Sequence, residues 1–126
     1  TERTVVVHGT DGLDEVTLGG ATDVTEAAGV EIRELRWTAA HFGLPERRRE
    51  ELLVAGPEES AAVIRGILQG RPGPARDVVV ANAAAALWTA GRDPSPARCA
   101  EIAAEAIDRG AARDLLARLV ERSWGR

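Results

Sequence analysis

Lysine and tyrosine are both absent from this sequence, and only one cysteine is present. Without lysine, the chain cannot form a lysine Schiff base, use a lysine as general base or supply the phosphate-binding lysine of a P-loop. The absence of tyrosine removes a further acid–base group. A lone cysteine cannot make an internal disulfide or a cysteine-rich zinc site, and the apolar helical pattern around Cys99 favours burial. This cysteine usage predicts a cytoplasmic protein.

Long apolar runs and an excess of positive charge are also lacking. No apolar stretch reaches the roughly 18 residues that a membrane span requires, and the first residues do not form a signal-peptide pattern. The net charge is −4 and the pI is near 5.2, so we expect neither nucleic acid nor a membrane as partner. The dense basic run Arg47–Arg49 is followed at once by Glu50 and Glu51, which predicts an exposed helical face.

The segment Val5–Glu15 is the most informative part of the chain. A β-branched run typical of a buried strand stops at Gly9 and opens into a loop that carries Asp11, Asp14 and Glu15. Clustered carboxylates on a loop after a strand suit Mg²⁺, especially an ion shared with substrate phosphates, although a solvated acidic turn has the same composition. Asp11, two residues after Gly9, is expected to make an Asx-type bond to the backbone and is therefore left out of the metal set.

The hydrophobic pattern changes from strand to helix along the chain. Extended segments are followed by a short turn, a brief charged helix and then longer helices with proline or serine at their starts. The predicted elements are a strand at 5–8, a hairpin of 22–26 and 30–35 around Gly29, a turn at 38–44, a charged helix at 47–54, and helices at 57–69, 78–88 capped by Asp77, 95–107 capped by Ser95, and 111–123. The sequence therefore predicts an α/β chain with a β-hairpin followed by four to five helices.

Several ordered blocks resemble the anthranilate phosphoribosyltransferase family. The first is Val5–Leu18, which is similar to the family segment hydrophobic-His-Gly-x-Asp-Gly-Leu-Asp-Glu. The further blocks, in order, are Thr22–Gly29, His41–Leu44, Ile64–Gly70, Gly73–Asp77, Asn82–Leu87 and Glu105–Ala112. The resemblance covers nearly the whole chain and implies the carboxyl-terminal part of a nucleoside phosphorylase/phosphoribosyltransferase-type fold.

The resemblance implies a glycosyltransferase of tryptophan biosynthesis. The complete enzymes of the family join the anthranilate amine to C1 of the ribose of phosphoribosyl pyrophosphate (PRPP) and release pyrophosphate. The family's amino-terminal helices and glycine-rich substrate loop have no counterpart in this sequence. We therefore expect a fragment or one chain of a split protein, inactive alone, which needs the missing amino-terminal part or a complementary chain. The complete enzyme is expected to be a homodimer.

The resemblance also divides the chain. Residues 1–126 would form the carboxyl-terminal part of the phosphoribosyltransferase α/β domain, with helices in 57–90 packing on the missing amino-terminal helical domain. In the helix at 78–88, the alanine-rich face is the expected docking surface.

The implied metal ligands are Asp14 and Glu15, which match the family's Mg²⁺-binding pair position for position. The resemblance implies that the ion bridges to the pyrophosphate of PRPP. No catalytic nucleophile and no other cofactor-binding residue is assigned within the chain.

For the other polar residues, a structural role is expected in preference to a functional one. His8 could orient a substrate, but packing with a hydrogen bond at the strand end is preferred, and His41 is expected in a structural turn. Asn82 is expected to link its helix to a neighbouring backbone carbonyl. Arg71 and Arg76 could meet phosphate, but solvation at the surface is preferred.

Two other functions stay open from the sequence. A relative of pyrimidine nucleoside phosphorylase would share the architecture and use phosphate as the nucleophile. A non-catalytic interaction module would keep the helices without the reaction, and loss of Mg²⁺ binding on mutation of Asp14 would distinguish an enzyme from such a module.

Overall fold

The computed structural model describes residues 1–125, in an α/β arrangement of one sheet and four helices. In chain order the elements are β1 (Arg3–Gly9), β2 (Thr22–Ala28), β3 (Glu31–Trp37), α1 (Pro57–Leu68), α2 (Pro74–Thr89), α3 (Pro96–Asp108) and α4 (Ala111–Trp124). Two short 3-10 helices, Ala39–Phe42 and Arg49–Leu52, connect β3 to α1. The predicted fold class is confirmed, and Arg126, the last residue of the predicted unit 1–126, lies outside the described residues.

The sheet is antiparallel, in the order β1-β2-β3. Thr22 is opposite Gly9 on one side and Trp37 on the other, so β2 lies between the other two strands along its whole length. Gly29 has a φ of +62° in the turn between β2 and β3, a conformation that favours glycine. The predicted hairpin is confirmed, with strands slightly longer than the sequence pattern indicated.

Aromatic rings join the sheet to the helices. Trp37, at the end of β3, makes edge-to-face contacts with Phe42 at 5.4 Å and with Trp88 of α2 at 5.1 Å between ring centroids. Val16 and Leu18, from the loop after β1, are also fully buried in this core. The loop that carries the carboxylates is therefore anchored in the core by its own second half.

Helix α2 differs from the prediction in two respects. It begins at Pro74, with Gly73 as its N-cap residue at a φ of +142°, so Asp77 lies within the first turn and is not the cap. Asp77 instead pairs with Arg47. The alanine-rich face is not left uncovered, because Ala81, Ala84 and Ala85 are buried within the chain, where α2 packs chiefly against α3. The docking of residues 57–90 on a missing domain stays a prediction.

The charged segment after the turn is also shorter than predicted. Instead of a helix over 47–54, a single 3-10 turn covers Arg49–Leu52. The turn predicted at 38–44 is confirmed as the 3-10 helix Ala39–Phe42, which Gly43 ends in a left-handed conformation. Within residues 1–125, no helix combines the length and the apolar character needed to cross a bilayer.

Candidate functional site

Residues 10–21, called here the acidic loop, connect β1 to β2 and carry the predicted metal ligands Asp14 and Glu15 together with Asp11. The Asp14 side chain is exposed, and that of Glu15 is half-buried. Burial raises the pKa of Glu15 above its ordinary value, and the neighbouring Asp14 charge raises it further. A cation at this position would offset both effects, because it favours the ionised carboxylate.

Asp11 points back into the acidic loop. Its Oδ1 accepts a hydrogen bond from the Leu13 amide at 3.3 Å, and its Oδ2 accepts one from the Thr17 hydroxyl at 2.6 Å. The predicted Asx-type bond is therefore confirmed. A Cβ on Gly9 would lie 2.7 Å from Asp11 Oδ1, which explains why the strand ends in glycine. Of the three carboxylates, Asp14 and Glu15 are thus left free of this internal bonding.

Asn82 of α2 holds the acidic loop directly after Glu15. Its Oδ1 accepts from the Val16 amide at 2.9 Å, while its Nδ2 donates to the Val16 carbonyl at 3.0 Å and to the Val78 carbonyl at 3.0 Å. The predicted link from Asn82 to a backbone carbonyl is confirmed, but the sequence did not indicate that its partner would be the acidic loop.

Two arginines also bond to the acidic loop. Arg47 departs from the exposed helical face predicted for it, because it is half-buried and precedes the 3-10 helix, whereas Arg49 is exposed in that helix, as predicted. The Arg47 amide donates to the Leu18 carbonyl at 2.9 Å, and its guanidinium pairs with Asp77 at 2.8 Å. Arg49 Nη1 donates to the Asp11 carbonyl at 3.0 Å. The sequence suggested that Glu50 and Glu51 neutralise these arginine charges. It gave no local signal for Asp77 or Asp11, which lie 30 and 38 positions away.

The structure contradicts the prediction for His8 and confirms the prediction for His41. His8 is exposed on β1, so the prediction of a packed side chain is wrong: alternate residues of the strand face outward, and His8 falls on the outer set. His41 lies in a structural turn, as predicted, where its Nδ1 accepts from the Thr38 amide at 3.0 Å. Neither histidine is therefore assigned to the candidate site.

The candidate phosphate-binding arginines lie just before α2 and in its first turn. Arg71 is exposed, as expected for a solvated side chain. The expectation of solvation is wrong for Arg76, whose side chain is only 13% exposed and whose Nη2 donates to Asp108 Oδ2 at 3.0 Å. Arg76 Nη1 lies 2.9 Å from Asp108 Oδ1 without hydrogen-bond geometry. Arg76 therefore joins α2 to α3.

The ligand set at the acidic loop is small. Within residues 1–125, no group of three or more histidine, cysteine, aspartate or glutamate side chains could hold a metal ion. A pair of adjacent carboxylates nevertheless fits Mg²⁺, which proteins often hold with one or two carboxylates while water and substrate phosphates supply the other ligands. Asp14 and Glu15 match that donor set.

Sequence comparison identifies relatives over nearly the whole chain. A protein-family model described as the glycosyl transferase family, a/b domain, matches residues 1–113. The anthranilate phosphoribosyltransferase of Rhodospirillum rubrum is 50% identical over 119 residues, which are 94% of this chain and 34% of that protein. The chain spans about a third of the length of the curated relatives it matches.

Solved structures share the fold. The anthranilate phosphoribosyltransferase of Thermus thermophilus has a TM-score of 0.81 and 38% identity, covering 92% of this chain and 34% of that one. The enzyme of Saccharomyces cerevisiae in complex with PRPP and Mg has a TM-score of 0.80 and 24% identity, covering 89% and 32%. At that identity, the yeast structure supports the fold alone.

Proposed function

The chain belongs to the glycosyl transferase family, as its a/b domain, and from this premise we propose that it is part of an anthranilate phosphoribosyltransferase. The complete enzyme would be a pentosyltransferase that moves the phosphoribosyl group of PRPP to the anthranilate amine and releases pyrophosphate. The support is the 50% identity to the Rhodospirillum rubrum enzyme over 94% of this chain. A homodimeric state and a cytoplasmic location stay predictions of the sequence.

The observation that carries the proposal is that the three carboxylates of the acidic loop differ in their bonding. Asp11 is used within the loop, and Val16 and Leu18 are buried in the core, so Asp14 and Glu15 alone of its carboxylates are available to a ligand. Asp14 and Glu15 would hold Mg²⁺. When bound, that ion would offset the negative charge that develops on the pyrophosphate oxygens as the bond to C1 breaks.

The reaction needs no nucleophile from this chain. The anthranilate nitrogen attacks C1, the bond from C1 to pyrophosphate breaks, and the nitrogen loses its proton, so the protein's contribution is positioning and charge stabilisation. Asp14 and Glu15 would contribute by holding the cation at the pyrophosphate end of the substrate. The contacts to anthranilate and the remaining contacts to PRPP would come from the part of the enzyme outside this chain.

The missing part would cover apolar side chains of α1 and α2. Ile64 on α1 is 49% exposed and Val79 on α2 is 45% exposed, although both are large and apolar. These positions support the proposal that helices in 57–90 dock on an amino-terminal helical domain, in place of the alanine-rich face. Burial of both side chains on association would stabilise the assembly by the hydrophobic effect.

A complementation assay tests the proposed function. The purified 126-residue chain is assayed for phosphoribosyl anthranilate from PRPP and anthranilate, alone and mixed with a polypeptide that supplies the amino-terminal part of a relative. We expect no turnover by the chain alone and measurable turnover by the mixture. Turnover by the isolated chain would contradict the need for a partner.

The same mixture distinguishes the two alternatives. Phosphate-dependent cleavage of a pyrimidine nucleoside, without transfer to anthranilate, would favour a nucleoside phosphorylase relative. A stable complex with neither activity would favour an interaction module. Either result would contradict the proposed transferase.

A further inference from the structure

We propose that Asn82 is a positioning residue, which fixes the backbone at Val16 and thereby sets the affinity of Asp14 and Glu15 for a divalent cation. This inference rests on the proposed function, because it takes the two carboxylates to be the metal ligands. Asn82 itself lies on α2, far from the acidic loop in sequence, and is not one of the proposed ligands.

The Asn82 side-chain amide forms hydrogen bonds with both backbone groups of Val16. Its oxygen accepts from the Val16 N–H at 2.9 Å and its nitrogen donates to the Val16 carbonyl at 3.0 Å. The same nitrogen donates to the Val78 carbonyl of its own helix at 3.0 Å. Only one amide orientation meets these three partners, since exchanging oxygen and nitrogen would place donor against donor and acceptor against acceptor.

Loss of these bonds would leave the Val16 N–H and carbonyl groups unpaired in the core. The Val16 residue is fully buried, and an unpaired peptide group in such a place is costly. The Val16 N–H belongs to the peptide unit that joins it to Glu15, so holding this unit fixes the carboxyl side of the Glu15 backbone. The direction in which the Glu15 side chain leaves the loop is thereby restricted.

Helix α2 is a firm support for this contact. The neighbouring side chains of Val78 and Ala81 are buried, so the helix cannot shift without disturbing the core. Ligand sites built on rigid elements, with a second layer of hydrogen bonds, hold their geometry better than sites that depend on a loop alone. Asn82 transmits the rigidity of α2 to the acidic loop.

Two substitutions separate positioning from helix stability. Asn82→Ala removes all three hydrogen bonds. Asn82→Ser is too short to reach Val16 but can still bond back to the Val78 carbonyl, as the Thr89 hydroxyl does to the Ala85 carbonyl at 2.7 Å. Thr89→Ala is the matched control, because it removes a side-chain bond from the same half-buried helix without touching the acidic loop.

The measurement is Mn²⁺ binding to the full 126-residue chain, followed by electron paramagnetic resonance of the free ion, with thermal melting and amide hydrogen exchange at Val16. We expect Asn82→Ala and Asn82→Ser to weaken Mn²⁺ binding about tenfold and to speed exchange at Val16. Thr89→Ala should leave both the Mn²⁺ affinity and the exchange at Val16 unchanged. If Asn82→Ala does not fold, Asn82→Ser gives the same comparison.

The outcomes separate this inference from the proposed function. If Asp14→Asn weakens Mn²⁺ binding while both Asn82 variants bind within twofold of the wild type, the positioning role is overturned and the metal site stands. If Asp14→Asn and Glu15→Gln bind Mn²⁺ as the wild type does, the proposed metal site and the positioning role fall together.

Discussion

Glu26 is a buried carboxylate in β2, with 5% of its surface exposed, and it is held between two arginines. Arg33, its cross-strand neighbour, pairs with one carboxylate oxygen, and Arg3 Nε lies 2.9 Å from the other. Arg3 also stacks 3.8 Å above the centroid of the Trp88 ring and donates to the Trp88 carbonyl. Glu26 therefore links the three strands, and Arg3 extends this link to α2.

The pH dependence of stability should report on Glu26. The hydrogen bond from Arg33 holds the pKa of the carboxyl below its ordinary value of 4.5, and the Arg3 and Arg33 charges lower it further, so that together these effects outweigh the cost of burial. A lowered native pKa means that the unfolded chain takes up the proton more readily. The stabilisation by Glu26 is therefore complete above its unfolded pKa and is lost as the pH falls through its native pKa.

Urea denaturation of wild type and Glu26→Gln over this acidic range measures the effect. We expect the wild type to be more stable at neutral pH, and the difference in free energy of unfolding to shrink as the pH drops below the ordinary value of 4.5. Asp23→Asn, which removes a half-exposed carboxylate from the same strand, is the control and should show a smaller change. A difference for Glu26→Gln that does not depend on pH would contradict the assignment.

At the scale of elements, the pairing of Arg47 with Asp77 ties the segment between the two 3-10 helices to α2. Arg47 Nη2 lies 2.8 Å from Asp77 Oδ2, with the two side chains 28% and 15% exposed. This partial burial makes the pair stronger than a surface salt bridge, since solvent screens it less. The backbone N–H of Arg47 also donates to the Leu18 carbonyl of the acidic loop.

We expect Arg47→Ala to lower the free energy of unfolding by about 1–3 kcal/mol, because Asp77 would keep a partly buried charge without its partner. Arg48→Ala is the matched control, since Arg48 is exposed and its side chain forms no salt bridge within residues 1–125. That variant should differ from the wild type by less than about 0.5 kcal/mol. Equal losses in the two variants, measured by chemical denaturation, would contradict a specific role for the pair.

Local signals were sufficient for some elements and insufficient for others. Gly29 between two β-branched runs fixes the hairpin, and Pro57 with its following glutamates starts α1, so both were predictable from nearby residues. The positions of Arg47, Asp77 and His8 depend on partners or strand faces that sequence spacing does not identify. The sequence therefore predicts the elements better than the contacts between them.

The candidate site shows the same division. Asp14 and Glu15 stand out through a compact motif and a family resemblance, whereas Asn82 and Arg49 meet the acidic loop only after folding. Their contacts span 66 and 38 positions along the chain, so no local pattern connects them. Sequence reasoning could propose the ligands but not the residues that hold them in position.

At the scale of the whole molecule, helix α4 exposes a large apolar surface. Leu115, Leu119 and Trp124 are 59%, 62% and 85% exposed, and α4 contains no buried residue. Together with Ile64 and Val79, these side chains are apolar surface of the kind that partner chains cover. This agrees with a chain that spans about a third of the length of its curated relatives.

The most direct test of the account is the Mg²⁺ dependence of pyrophosphate release by the complemented enzyme, compared among wild type, Asp14→Asn, Glu15→Gln and the control Asp23→Asn. We predict that the two loop variants abolish turnover or raise the half-saturating Mg²⁺ concentration at least about tenfold, since each would lose one of the proposed metal ligands. Asp23→Asn should match the wild type, because that carboxylate is paired with Arg36 on the sheet. An unchanged Mg²⁺ dependence in both loop variants would contradict the account.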